Sequence, residues 1–310
     1  MNHASGAHGI RIADYWLHEE VPGCSIEIAY RASHRLLPRL ARVAILNPAC
    51  IGVRHAALKL MREACVLESL RHSGVPRVFE CGVLERRPWV ASEHITGVSI
   101  EAAAAERPLA IGDALAVLRD AAAILAHAHD RRVVHRRITP GSVVRTGERG
   151  FAVCITGWGD AAIDDSAAPL ADDPGARFYR APELADGERG RAPADVFALG
   201  AVMFEAATLV LPDPVQRFPG VPAGFHHLLA GMLARSPDDR PTAHAVRAEA
   251  GRLAELHCEG DAGIEEVEVE LVDISRSQIA RPGLGWMPPD LPGPSPRALG
   301  SVRRRRDTPP

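Results

Sequence analysis

The side chains whose spacing suggests chemistry fall in short stretches. The segment VVHRRITPGSVV, residues 133–144, sets His135 beside Arg136 and Arg137, with the hydroxyls of Thr139 and Ser142 close behind. Lys59 and Glu63 stand one helical turn apart in HAALKLMREACVLESLRH. Asp160, Asp164 and Asp165 follow the triplet Gly157-Trp158-Gly159. Lys59 is the only lysine, so chemistry that needs two lysines is excluded. The six cysteines are scattered singly with no CxxC pair, which suits free thiols in a reducing compartment.

The elements that must position these groups can be read from periodicity. SIEIAYRA alternates like a half-buried strand, and ARVAIL is a second short apolar run. Residues 55–72 carry Leu60, Ala64, Leu67 and Leu70 at helical spacing, with Gly74 and Pro76 as stop signals. RVFECGVL and PWVASEHI read as two more strands. After about residue 108 the pattern turns helical: IGDALAVLRDAAAILAHAHD, the nearly all-apolar ADVFALGAVMFEAATLV, GFHHLLAGMLA and AHAVRAEAGRLAEL. A small sheet-rich lobe thus precedes a larger helical one.

The ends differ. Residues 1–10 are small and polar and read as a flexible N-terminus without a secretory signal. Residues 258–310 open with an alternating acidic stretch, Glu265–Ile274, that reads as a strand with one wet face. They end in a Pro-, Gly- and Arg-rich tail containing Trp286 and Arg303–Arg306, disordered by composition. A net charge of −3 gives no basic footprint for nucleic acid, and no apolar run is long enough for a membrane span. A cytoplasmic location is expected.

Five segments in order resemble the bacterial Ser/Thr protein-kinase family. VVHRRITPGSVV resembles the catalytic loop, and FYRAPE (178–183) the end of the activation segment. PADVFALGAVMFEAAT (193–208) resembles the central helix, opening on Asp195. ARSPDDRPTA (234–243) resembles the late loop whose arginine, Arg240, pairs with Glu183; LRHSGVPRVFECG resembles the stretch after the N-lobe helix. The resemblance implies an α+β, bilobal kinase-like fold over 11–257. Its N-lobe is small and β-rich with one helix, about 11–93. Its C-lobe is larger and helical, about 94–257, and LVLPDPVQRFPGVPAGF is too short and proline-rich for the usual substrate-docking helix.

Position by position, the family's polar machinery is replaced. The Gly-rich loop falls on Pro22, Cys24 and Glu27, and the strand lysine on Leu46. The catalytic aspartate falls on Arg137 and the loop lysine on Thr139. The magnesium positions fall on Ser142 and Gly157. Glu63 matches the helix glutamate but lacks its lysine, so a surface or capping role is expected. Lys59 reads as a solvated helix lysine. Asp160 lies too far along the chain to replace a carboxylate at 157. Arg137 has three outlets: Asp160, Glu183 or solvent. Between Gly159 and Glu183 the hydroxyls are Ser166 and Tyr179, and a phosphate switch facing Arg136 would use Ser166.

Positions that pack are kept. Leu67, Val78, Trp158, His135 and Asp195 match the column that ties the two lobes together in the family. Ala44 and Val144 match the adenine sandwich, with Glu93 and Ile95 as hinge, so a residual adenine slot is the most that remains. The expectation from these positions is a pseudokinase and not an enzyme. It would scaffold or regulate a protein partner, such as an active kinase or another signalling protein, with no metal and no cofactor, neither ATP nor Mg2+. The alternative is a divergent Ser/Thr kinase with weak or relocated ATP-dependent phosphotransfer.

Overall fold

A six-stranded antiparallel sheet forms the first lobe of this computed structural model, in the order β1-β2-β3-β4-β6-β5. The described residues are 10–261 apart from 106, 148–150, 164–174, 186, 189 and 212–220, with side chains described as far as 257. The strands are β1 (Arg11–Ile12), β2 (Tyr15–Val21), β3 (Glu27–His34), β4 (Leu40–Leu46), β5 (Val78–Leu84) and β6 (Arg87–Glu93). Both sheet faces are covered, and alternation along β4 shows how. Ala41, Val43 and Ile45 pack outward with Tyr15 and Trp89. Ala44 and Leu46 pack with Ala29 against α1 (Arg54–Leu70).

Helix α1 buries Ala56, Leu60, Ala64 and Leu67 on the stripe expected from spacing. It stops earlier than expected. Arg71 turns left-handed at φ 42° and its N–H bonds Leu67 O at 3.3 Å, so the chain has left the helix before Gly74.

The second lobe begins with β7 (Val98–Ser99), α2 (Ile100–Ala103) and α3 (Ile111–Asp130). Short strands β8 (Val133–Val134), β9 (Val143–Arg145), β10 (Val153–Ile155) and β11 (Ala162–Ile163) frame the loops of the cleft. They carry too few residues for any periodic signal and were not expected. Then follow α4 (Pro182–Ala185), α5 (Ala192–Thr208), α6 (Ala223–Met232) and α7 (Ala243–Asp261). One core holds these helices together through Leu118, Leu125, Leu199, Met203, Phe225 and Leu229. Gly200 lets α5 meet α6, because a Cβ there would stand 2.8 Å from Met232 Cβ.

The architecture is the α+β, two-lobed kinase-like fold expected from the sequence. Helix α7 runs to Asp261, past the expected boundary at 257. Among the described residues no helix lies between α5 and α6; residues 212–220, where the docking helix was expected to be missing, lie outside them. So do the N-terminus up to residue 9, Ser166, and the tail with Glu265–Ile274, Trp286 and Arg303–Arg306.

Candidate active site in the cleft between the lobes

The loop between β8 and β9 is held by one buried carboxylate. Asp195, at the start of α5, accepts the N–H of His135 and of Arg136, each at 2.7 Å, on separate oxygens. His129 Nε2 also lies 3.0 Å from Asp195 Oδ2. These bonds hold Arg136 at φ 70°, a left-handed conformation costly for a side chain with a Cβ. His135 is fully buried, its Nε2–H donates to Thr156 O at 3.0 Å, and Nδ1 accepts the Arg137 N–H at 3.3 Å. Burial pushes its imidazole pKa down, which keeps the ring neutral.

His135 stacks edge-on against Trp158, with centroids 4.5 Å apart. Trp158 Nε1–H bonds Ile155 O at 2.8 Å. Leu67 from α1 shares this core, and Val78 from β5 packs on it, so a continuous column runs from the sheet to α5. Arg240 locks the far side: its Nη1 and Nη2 reach the two Glu183 oxygens at 2.7 and 2.8 Å.

The charged groups that look scattered in sequence converge on Asp160. The turn Trp158–Asp160 lies against α1, and Asp160 Oδ1 is 2.6 Å from Lys59 Nζ. Its Oδ2 is 2.8 Å from Arg137 Nε, an ion-pair contact rather than an aligned hydrogen bond. Of the three outlets open to Arg137, the structure places it on Asp160. Lys59 is not the solvated helix lysine expected: its side chain is one-quarter exposed and points into the cleft. Gly159 lies beside both side chains: a Cβ there would stand 3.4 Å from Glu63 Oε2 and 3.5 Å from Lys59 Cε, ordinary contact distances.

Glu63 is not a surface or capping residue either. It faces the same cleft, and its pKa is pushed up to about 7. Burial is the largest cause; Glu27 and Asp160 add to it, against the opposing fields of Arg42 and Lys59. Glu27, at the last Gly-rich-loop position, is buried and paired with Arg42 of β4. Sequence reading passed over Arg42. The signal was there: it is the polar member of the 42-44-46 face of β4, whose other two residues are apolar.

The remaining sequence positions are placed as follows. Leu46 is buried against α1. Pro22 and Cys24 precede β3 on the exposed loop. Ala44 lies on the cleft face of β4, and Val144 on β9 below it. Glu93 turns toward Arg77, 3.3 Å away, and Ile95 follows half-buried. Thr139 and Ser142 satisfy each other: the Ser142 hydroxyl donates to Thr139 O at 2.9 Å and accepts the Thr139 N–H at 3.0 Å.

This donor set does not fit a magnesium ion. The Ser142 hydroxyl is committed to Thr139, Gly157 has no side chain, and each oxygen of Asp160 is engaged by a cation. What the cluster offers instead is positive charge on two flexible arms, Lys59 and Arg137, on either side of the cleft. That is the charge that stabilises transferring phosphoryl groups.

A family model described as the protein kinase domain matches residues 52–250. Over 320 aligned residues the chain is 22% identical to the serine/threonine-protein kinase PknE of Mycobacterium bovis, covering 96% of this chain and 56% of that protein. It is 27% identical over 277 residues to PknB of Mycolicibacterium smegmatis, covering 79% and 43%. With PknI of Mycobacterium tuberculosis it is 27% identical over 325 residues, covering 96% and 53%. The chain thus spans about half the length of these relatives. The matches correct the expectation that the chain is not an enzyme, since relatives aligned along nearly its whole length bear the name of protein kinases. The chain belongs to the protein kinase domain family.

Proposed function

We propose that this chain is a divergent Ser/Thr protein kinase in which ATP-dependent phosphotransfer uses relocated charges. The acceptor is a serine or threonine hydroxyl of a protein partner. The observation that carries the reading is the contact of Lys59 with Asp160, 2.6 Å, inside the cleft. The single lysine of the chain comes from α1, the helix that packs beneath β4, where Leu46 stands at the strand-lysine position. Arg137 brings a second cation from the opposite lobe to the same carboxylate. In the resting cleft Asp160 pairs with both. When a phosphate chain enters, it competes with Asp160 for the two cations, and they neutralise the charge that magnesium otherwise would.

Phosphoryl transfer through a loose transition state asks the protein mainly for positioning and charge. The intact column through Leu67, Trp158 and His135 supplies the positioning, by fixing α1 against the loop that carries Arg137. Magnesium has no part in this reading, because Ser142 and Gly157 do not make a site for it. The test is incubation of the full chain with ATP labelled at the γ-phosphate and a Ser/Thr-rich acceptor protein, followed by phosphoamino-acid analysis. Label on serine or threonine is expected. No label on chain or acceptor at millimolar ATP would contradict the reading.

A further inference from the structure

We infer that Arg42 controls nucleotide admission, its side chain lying across the roof of the cleft where an adenine ring would sit and being held there by Glu27. The inference rests on the cleft being the nucleotide site proposed above. Strand register carries it. Arg31 stands opposite Arg42, Ala29 opposite Ala44, and Glu27 opposite Leu46. Residues 42, 44 and 46 share one face of β4, with 27, 29 and 31 beside them on β3. Glu27 is therefore four residues along the ladder from the position opposite Arg42, about 13 Å of strand. The two side chains nevertheless touch. To do so they must run toward each other along the strands, across Ala29 and Ala44.

Those two residues are alanines, 1% and 2% exposed. Small residues leave a shallow trough in the roof, and an extended guanidinium stem fits such a trough. Two electrostatic relationships agree with this path. Arg42 lies within electrostatic range of Cys24 and Glu63, on the phosphate side of the cleft. His94, in the hinge, also lies in the field of Arg42. The side chain thus begins near the hinge and ends near the loop over the phosphates. A ring stacked under Ala44 would occupy the same space.

Glu27 keeps the plug in place. Its side chain is 5% exposed, and Arg42 supplies the opposite charge. Removing Arg42 alone would leave a buried, unpaired carboxylate, which costs stability. The variant to test is therefore Arg42→Ala combined with Glu27→Gln, in the full chain. Binding of ADP and of adenosine is measured by isothermal titration calorimetry. Both ligands are expected to bind about tenfold tighter to the double variant. Adenosine is the decisive probe because it has no phosphate. A gain for ADP alone would mean that the pair acts by charge and not by filling the slot, and would overturn the inference. So would unchanged or weaker adenosine binding. Glu27→Gln by itself keeps the shape and loses only the charge, and it strands Arg42 less than the reverse change strands Glu27, because the Arg42 side chain is 26% exposed and also lies in the field of Glu63. It is expected to gain severalfold in adenosine affinity, and no gain overturns the inference. The phosphotransfer reading is judged separately by label transfer. Equal adenosine binding with label transferred rejects the plug and keeps the kinase reading. Tighter binding with no label transferred does the reverse.

Discussion

Lys59 and Asp160 are 101 positions apart in sequence and 2.6 Å apart at the junction of the two lobes. Asp160 also contacts Arg137, so one carboxylate joins α1 to the loop that follows β8. Replacing Asp160 by Asn leaves two cations facing each other across the cleft without their counter-charge. We expect Asp160→Asn to lower the melting temperature by roughly 2–6 °C, as ~1–2 kcal/mol does in a domain of this size. A melting curve that does not move would mean the ion pairs contribute nothing to holding the lobes.

Glu63 should make stability fall as pH rises. Its pKa is about 7 in the fold against an ordinary 4.5. Between these values the folded protein binds more protons than the unfolded chain, so stability declines across that window and is level above it. The displacement corresponds to at most about 3 kcal/mol, less what solvent screening removes from a half-buried group. Glu63→Gln cannot ionise and escapes the loss. Its melting temperature should gain on the parent between pH 5 and pH 8. Parallel curves for the two proteins would show that Glu63 ionises normally.

The Arg240–Glu183 pair is buried and two-pronged, so breaking it by half is costly. Arg240→Ala leaves the Glu183 carboxylate buried alone and should cost about 3–5 kcal/mol. Arg240→Lys keeps the charge but loses the fork and should fall between parent and alanine variant. Urea unfolding midpoints check the order. Equal midpoints for alanine and lysine variants would mean that fork geometry is irrelevant.

Asp195→Asn tests the brace under the catalytic-type loop. Both carboxylate oxygens accept backbone N–H groups, so an amide must turn a donor toward one of them. A loss of about 2–4 kcal/mol is expected, with faster hydrogen exchange at His135 and Arg136. Exchange rates equal to the parent's would remove Asp195 from its bracing role.

Much of this fold is legible in the chain. Leu60, Ala64 and Leu67 announce α1 by spacing, and the all-apolar α5 announces its own burial. The order of motifs gives the two-lobed architecture. The four strands around the cleft are not legible, because two or three residues hold no period. The polar cluster is hidden for a different reason. Counting along the chain puts Asp160 three positions past Gly157 and so out of reach. That count ignores α1, which arrives from the other lobe and brings Lys59 to where Asp160 already is. The same holds for Arg42: its partner Glu27 comes from the neighbouring strand, four residues from the position directly opposite, and local sequence does not encode that reach.

The measurement that tests the central claim most directly compares phosphotransfer by the parent with that by Lys59→Met, which keeps the side-chain length and removes the charge. Initial rates of label transfer from γ-labelled ATP to an acceptor protein would be taken at equal concentrations of folded protein. The account predicts slow transfer by the parent and a loss of at least about 100-fold in Lys59→Met, the scale of losing one charge-stabilising group. Transfer at the parent's rate by Lys59→Met would contradict it.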